Sequence, residues 1–390
     1  MKNKKSVSLT KPIRWHQVRF YFAILLAVFI LVSSLVNLLM TNLAAKATSP
    51  LMREGFLDLS DLDFDKNTKL ELNGEWRFYP GQFIQPSADP EREPDGDFQL
   101  VQLPGPWELP DGAAGFGSYR LVIALPGPEV YGLRTKTIRS ASRLFVNGQQ
   151  VTDIGQVGEE TGSYRPASRF GTGFAQIGGG RMEVVLHVSN FYYNRGGVLA
   201  PIEFGTAQGI LNRTNREIGF EMMVVFSFVT VSILTFILFL LRQRKRELLY
   251  FSLGCFSMGL YLSLTNNQIF RLLFDISFMT RTKMQLVAMI GVMLCFLSFV
   301  EYFFRRVANR KICRAIKGLI LLGLAGLFVD PYLLLSWGRQ LLPILMNLVL
   351  FASFGYMAVV MIKAMLRKLV AVEFILVAVV SLASYWISMG

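Results

Sequence analysis

Hydrophobic positions fall into two textures along the chain. Residues 20–40, "FYFAILLAVFILVSSLVNLLM", are an apolar run about as long as a membrane-spanning helix. From about residue 58 to 208 the apolar positions alternate with polar ones in short stretches separated by Gly, Pro, Asn and Asp. The clearest are "KLELNGEWRFYP", "FQLVQLPGPWELP", "GSYRLVIALP", "SRLFVNGQQVTDIG", "RMEVVLHVSNF" and "VLAPIEFG". Period-two alternation puts one face of each stretch in a core, and many such short strands predict an antiparallel all-β sandwich or barrel. Asn147-Gly148 between two patterned runs predicts a hairpin, because both residues tolerate a positive φ. The stretch 84–98, "IQPSADPEREPDGDF", reads as a solvated loop. Beyond residue 208 the period becomes helical through "QGILNRTNREIGFEMM". This predicts a linker helix over 209–218, leading into a transmembrane bundle over 219–390. Its expected spans are 219–241, 248–265, 284–304, 318–335, 340–362 and 369–388.

Composition agrees with a membrane protein: of 390 residues, 52% are hydrophobic and 17% charged. The net charge of +13 is unevenly placed. Residues 48–217 hold 16 basic and 21 acidic side chains, a net of −5, and the rest of the chain carries +18. Positive charge that flanks apolar runs is a topology signal, so no nucleic-acid partner is expected. Residues 1–19 are a basic terminus with Lys2, Lys4, Lys5, Lys11, Arg14 and Arg19. The run 20–40 is then a signal anchor or, with Ala45-Lys46-Ala47 as a cleavage pattern, a signal peptide. Either alternative sends the sandwich outside. The clusters Arg242–Arg246, Arg305–Lys317 and Lys363–Lys368 follow alternate spans and place those loops in the cytoplasm, which agrees independently. The expected location is a multi-pass cell membrane protein with its β-sandwich extracytoplasmic. A sixth span that ends outside, with nothing after it, reads as a chain cut before a further span.

Chemistry is sparse. Cys255, Cys295 and Cys313 all lie outside the β-rich part, which therefore has no disulfide staple. No P-loop, HExxH or GxSxG motif occurs, so residues 1–390 offer no catalytic motif. No cofactor and no metal site is expected. His187 within "EVVLHVSNF" reads as a structural histidine, and Trp76 and Phe78 as core. The candidate ligand-binding residues are Tyr164 and Arg165, with Tyr192, Tyr193, Asn194 and Arg195. They lie at predicted strand ends, where sandwich loops gather and where aromatic faces and a few polar groups suit a small ligand.

The ordered motifs "LNGEWRFYPGQF", "VQLPGPWE", "GFGSYRLVIALP" and "ASRLFVNGQQVTDIG" resemble the sugar-binding jelly-roll domain of family 2 glycoside hydrolases. With "VSNFYYNRGGVLAPIEFG" and the helices that follow, the chain more closely resembles the bacterial seven-transmembrane receptors with diverse intracellular signalling modules. The resemblance implies a galactose-binding-like jelly-roll sandwich outside and an α-helical transmembrane bundle. It also implies a small-molecule or carbohydrate ligand, and a cytoplasmic module in cis or in trans, such as a cyclase, kinase or phosphatase. A homodimer fits the pairwise action of many output modules, although no GxxxG stripe argues for it. The chain departs from the family pattern in having six expected spans after the sandwich and Tyr192 and Tyr193 where related receptors often carry His. A transporter or channel with a substrate-capturing outer domain is the alternative, and a membrane-tethered carbohydrate enzyme or adhesion module a third.

Overall fold

The computed structural model describes residues 52–367 apart from 65–67, 108, 110–111, 137, 139–140, 168, 194, 243 and 330–340. The expected basic terminus 1–19, the run 20–40, the span 369–388 and Asn194 lie outside the described residues. The chain forms two compact units. Of the described residues, one holds those up to Arg305 together with Asn309–Ser353; the other gathers Arg306–Ala308 and those from Phe354 onward. In the second unit, Arg367 Nη1 donates to the backbone oxygen of Arg306 at 3.0 Å.

The first unit begins with β1 (Phe56–Asp58), β2 (Lys69–Glu71), β3 (Gly74–Pro80), β4 (Gln99–Leu103) and β5 (Gly105–Pro106). Next come β6 (Gly115–Leu125), β7 (Glu129–Thr135), β8 (Ala141–Val146) and β9 (Gln149–Ile154). The last strands are β10 (Gly171–Ile177), β11 (Gly180–Asn190), β12 (Gly197–Val198) and β13 (Ile202–Thr206). The large sheet runs β4-β3-β6-β11-β8-β9, with β1 parallel to β6, and the small sheet runs β10-β7-β13-β2. Both sheets contribute to one apolar core, so they form a β-sandwich.

Strand alternation decides what each face carries. Met182, Val184, Leu186 and Val188 of β11 and Tyr119, Leu121, Ile123 and Leu125 of β6 enter the core beside Trp76 and Phe78 of β3. Glu183, Val185, His187 and Ser189 fall on the other face of β11, and Phe116, Ser118 and Arg120 on that of β6. This outer face is itself covered. The stretch 84–98 is exposed at most positions, as a solvated loop would be, but it acts as a strap. Ile84 packs with Tyr79, Val185 and Phe145. Arg120 is paired with Glu183 (2.7 Å) and also donates to the backbone oxygens of Pro90 (3.0 Å) and Arg92 (2.9 Å). A buried ion pair needs further hydrogen bonds to offset desolvation, and the strap's carbonyls supply them.

Among the described residues, five α-helices follow: α1 (Ala207–Leu241), α2 (Arg246–Ser263), α3 (Phe278–Phe303), α4 (Arg310–Val329) and α5 (Leu341–Leu366). A single helix thus runs without a break through both the linker stretch and the first predicted span. Thr206 caps α1, its hydroxyl oxygen accepting from the Gly209 N–H at 3.2 Å. The first turns of α1 lie against the small sheet, where Gly132 leaves the room that Ile210 fills; a Cβ there would sit 3.0 Å from it. Farther along, Ser232 of α1 donates to the Ser252 carbonyl of α2 at 2.9 Å, and Ser252 returns the bond to Ser232 at 2.8 Å. Tyr250 of α2 stacks on Tyr302 of α3, and Glu301 of α3 pairs with Lys317 of α4 at 2.7 Å.

Candidate functional site

The outer face of the large sheet ends in an open cleft of about 710 Å³, lined by Phe83, Phe116, Arg143, Ser163 and His187 together with Val157–Glu160. Its floor comes from three strands: Phe116 opens β6, Arg143 lies on β8 and His187 on β11. Phe83 comes from the strap, and residues 157–163 form one wall. Ser189 fixes that wall to the sheet, accepting from the Gly158 N–H (3.0 Å) and donating to the Gly158 carbonyl (2.8 Å).

The aromatic rings set the cleft's apolar side. Phe83 lies 4.9 Å from Phe116 and 4.9 Å from His187, centroid to centroid, and stacks on the imidazole. His187 Nε2 lies 2.9 Å from the Ile84 carbonyl. A carbonyl only accepts, so Nε2 carries the proton and Nδ1 is left as an acceptor. Burial, to which Arg143 adds, holds the His187 pKa down at about 4, so the ring is neutral near pH 7. Arg143 faces Asp153 across β8 and β9 at 3.5 Å. The cleft therefore offers two apolar ring faces, one guanidinium, the Ser163 hydroxyl and several acceptors, including Glu159 and Glu160. Such a set suits a ligand with hydroxyl donors and an apolar face.

The residues expected from the sequence gather beside this cleft. Tyr164 is buried, 5.3 Å from the Phe191 ring and 5.4 Å from that of Tyr192. Tyr193 is held by Asn190, whose side chain accepts from its N–H (2.9 Å) and donates to its carbonyl (2.8 Å). Its ring meets Phe278, the first residue of α3, at 6.4 Å. Arg165 and Arg195 are exposed. None of these five lines the cleft. Sequence reasoning missed the residues that do, because they come from five separate segments. The usable signal was the alternation in "VLHVS", which puts His187 opposite Leu186 and Val188.

A second polar site joins the small sheet to the helices. Arg134 of β7 has no exposed side-chain surface and pairs with Glu203 of β13 (3.3 Å) and Glu217 of α1 (2.7 Å). It also donates to the Asn267 side chain at 3.1 Å, and Asn267 donates to Glu221 of α1 at 2.9 Å. Among the described residues, no cluster of His, Cys, Asp and Glu could hold a metal ion.

Residues 218–389 match the family described as 7TM diverse intracellular signalling. The helical part of the chain is similar to that family over these residues. Two helices of this 7TM diverse intracellular signalling segment and its lead-in, Ala207–Leu241 and Phe278–Phe303, are long and apolar enough to cross a membrane. The match and these two helices support a membrane-associated receptor of a signalling family in general. No curated protein matches it. Similar solved structures include a GH2 beta-galacturonidase from Eisenbergiella tayi bound to glycerol, 18% identical, covering 36% of this chain and 24% of that one with a TM-score of 0.26. A Faecalibacterium prausnitzii beta-glucuronidase is 16% identical over 36% of this chain and 31% of that one, TM-score 0.25. A family 35 carbohydrate binding module from Clostridium thermocellum is 13% identical over 36% of this chain and 99% of that one, TM-score 0.19. This chain thus spans well under two thirds of either enzyme.

Proposed function

We propose that the β-sandwich is an extracytoplasmic jelly-roll sensor that binds a carbohydrate or similar polyhydroxylated small molecule in the cleft. The helices form a multi-pass bundle that passes the signal to a cytoplasmic module in cis or in trans. The carrying observation is the cleft: Phe83 and Phe116 present ring faces to the apolar side of a sugar, and His187 Nδ1, Glu159, Glu160 and Ser163 can accept from its hydroxyls. Ligand contact is assigned to Phe83, Phe116, Arg143, Ser163 and His187. Tyr164, Arg165, Tyr192, Tyr193 and Arg195 are placed behind or beside them. Positive-inside charge and the family of residues 218–389 support the outward placement of the sandwich and the bundle's receptor role.

The test is titration of the full chain in nanodiscs with a panel of neutral mono- and oligosaccharides by calorimetry. At least one is expected to bind, and Phe116→Ala is expected to weaken it tenfold or more. A panel without binding, or binding that Phe116→Ala leaves intact, would remove the cleft from this role.

A further inference from the structure

We propose that occupancy of the cleft is reported to the helices at the 264–268 connection between α2 and α3, by movement of the 157–165 loop against Phe191–Tyr193. The proposal rests on the reading of the cleft as the ligand site, and it assigns Tyr164, Tyr192 and Tyr193 to transmission.

One loop has two working edges. Val157–Ser163 face the cleft, and the next residue, Tyr164, is buried against Phe191 and Tyr192. Its neighbours cannot shift far alone, since Gln156 and Arg165 exchange backbone hydrogen bonds of 2.9 and 3.0 Å. Displacement of the wall therefore moves the Tyr164 ring. Tyr193, the next residue in the chain after Tyr192, meets Phe278 at the start of α3. Arg281, one turn on, lies over the Phe278 ring and donates to the Leu264 carbonyl at 3.1 Å. Gln285 donates to Thr265 at 3.4 Å.

The same connection receives a second, separate hold. Asn267 accepts from Arg134, which the small sheet keeps fully buried. The large sheet thus reaches residues 264–265 through Phe278 and Arg281, and the small sheet reaches residue 267 through Arg134. Between and beside these contacts, Asn266 (φ 46°) and Gln268 (φ 53°) are non-glycine residues in the left-handed region. Side chains at such φ values hold a costly backbone state that tertiary contacts must maintain, and such states cluster at switch regions. A rearrangement there changes where α3 starts relative to α1, whose Glu217 and Glu221 belong to the Arg134 group.

The experiment uses the full chain in nanodiscs with Cys255, Cys295 and Cys313 replaced by alanine and Ser163→Cys introduced. A bulky maleimide on that cysteine fills the cleft whatever the natural ligand is. Amide hydrogen exchange is compared before and after labelling. Exchange in 264–282 is expected to change at least threefold, and Tyr193→Ala or the gentler Phe278→Leu is expected to abolish that change. The loop 157–165 should still respond in both variants. Labelling that alters 157–165 and leaves 264–282 untouched would overturn the proposal, as would a response that survives both substitutions. Sugar titration fails or succeeds independently, so loss of the carbohydrate reading and loss of the transmission route are distinguishable.

Discussion

Glu203 has no exposed side-chain surface and four cations around it: Lys69 and Lys136 at 3.1 Å, Arg213 at 3.2 Å and Arg134 at 3.3 Å. Burial alone would raise its pKa, but Lys136, Lys69 and Arg213 outweigh it and hold the carboxyl at about 2. A carboxylate depressed in the fold contributes stability that is complete above its unfolded value of 4.5 and is lost as pH falls through 2. Glu203→Gln is expected to cost about 3–5 kcal/mol near neutral pH, since it strands buried cations, and to flatten the acid limb between those values. Unfolding followed by the buried Trp76 and Trp107 checks both. His187 has linkage of the same sign in a higher pH window. It is neutral in the fold down to about 4, and the unfolded ring protonates near 6.5. Its contribution is therefore full above pH 6.5 and declines as pH falls toward 4, by roughly 3 kcal/mol in total. His187→Gln is expected to remove that slope, read from the same unfolding curves.

At the scale of elements, local chemistry was legible and cover was not. Asn147 and Gly148 take φ values of 44° and 77°, as a two-residue hairpin loop between β8 and β9 demands, and the dipeptide alone announced it. The strap could not be read, because its work is done by carbonyls at Pro90 and Arg92 that are the same in any sequence. The polar alternation of β6 and β11 did hold a hint, since Arg120 and Glu183 pair across β-sheet neighbours and neither is exposed. Arg120→Ala is expected to destabilise by about 3–5 kcal/mol and to open residues 86–97 to limited proteolysis, which mass spectrometry of the fragments would detect. The cleft was hidden for a related reason: Phe83, Phe116, Arg143 and His187 are separated along the chain and meet only through sheet order. Tyr164 and Tyr193 stood out as aromatic residues at strand ends, a signal that does not distinguish a ring facing ligand from one facing another ring.

For the whole molecule, the division into a β-rich part and a helical part was visible in the change of hydrophobic period near residue 208. The joint between them was not. It depends on Arg134, Glu203, Glu217 and Asn267, four polar residues from separate elements that look like ordinary surface residues until they are brought together. The proposed topology predicts that a cysteine at Glu160 reacts with a membrane-impermeant maleimide in intact cells, whereas one at Arg244 reacts only after permeabilisation. The reverse pattern would invert the receptor.

Helix α1 has 35 residues, about 52 Å of rise, against the ~20 residues that cross a hydrocarbon core. Its first turns are bolted to the small sheet and its later ones to α2 by the Ser232–Ser252 exchange. A shaft held at both ends fixes azimuth as well as height. Each residue inserted after Glu217 would turn the far end by about 100° relative to the sandwich, and seven would bring it back to within roughly 20°. Insertions of one to seven alanines there should therefore perturb and then restore helix packing with the periodicity of a screw thread, not in proportion to length.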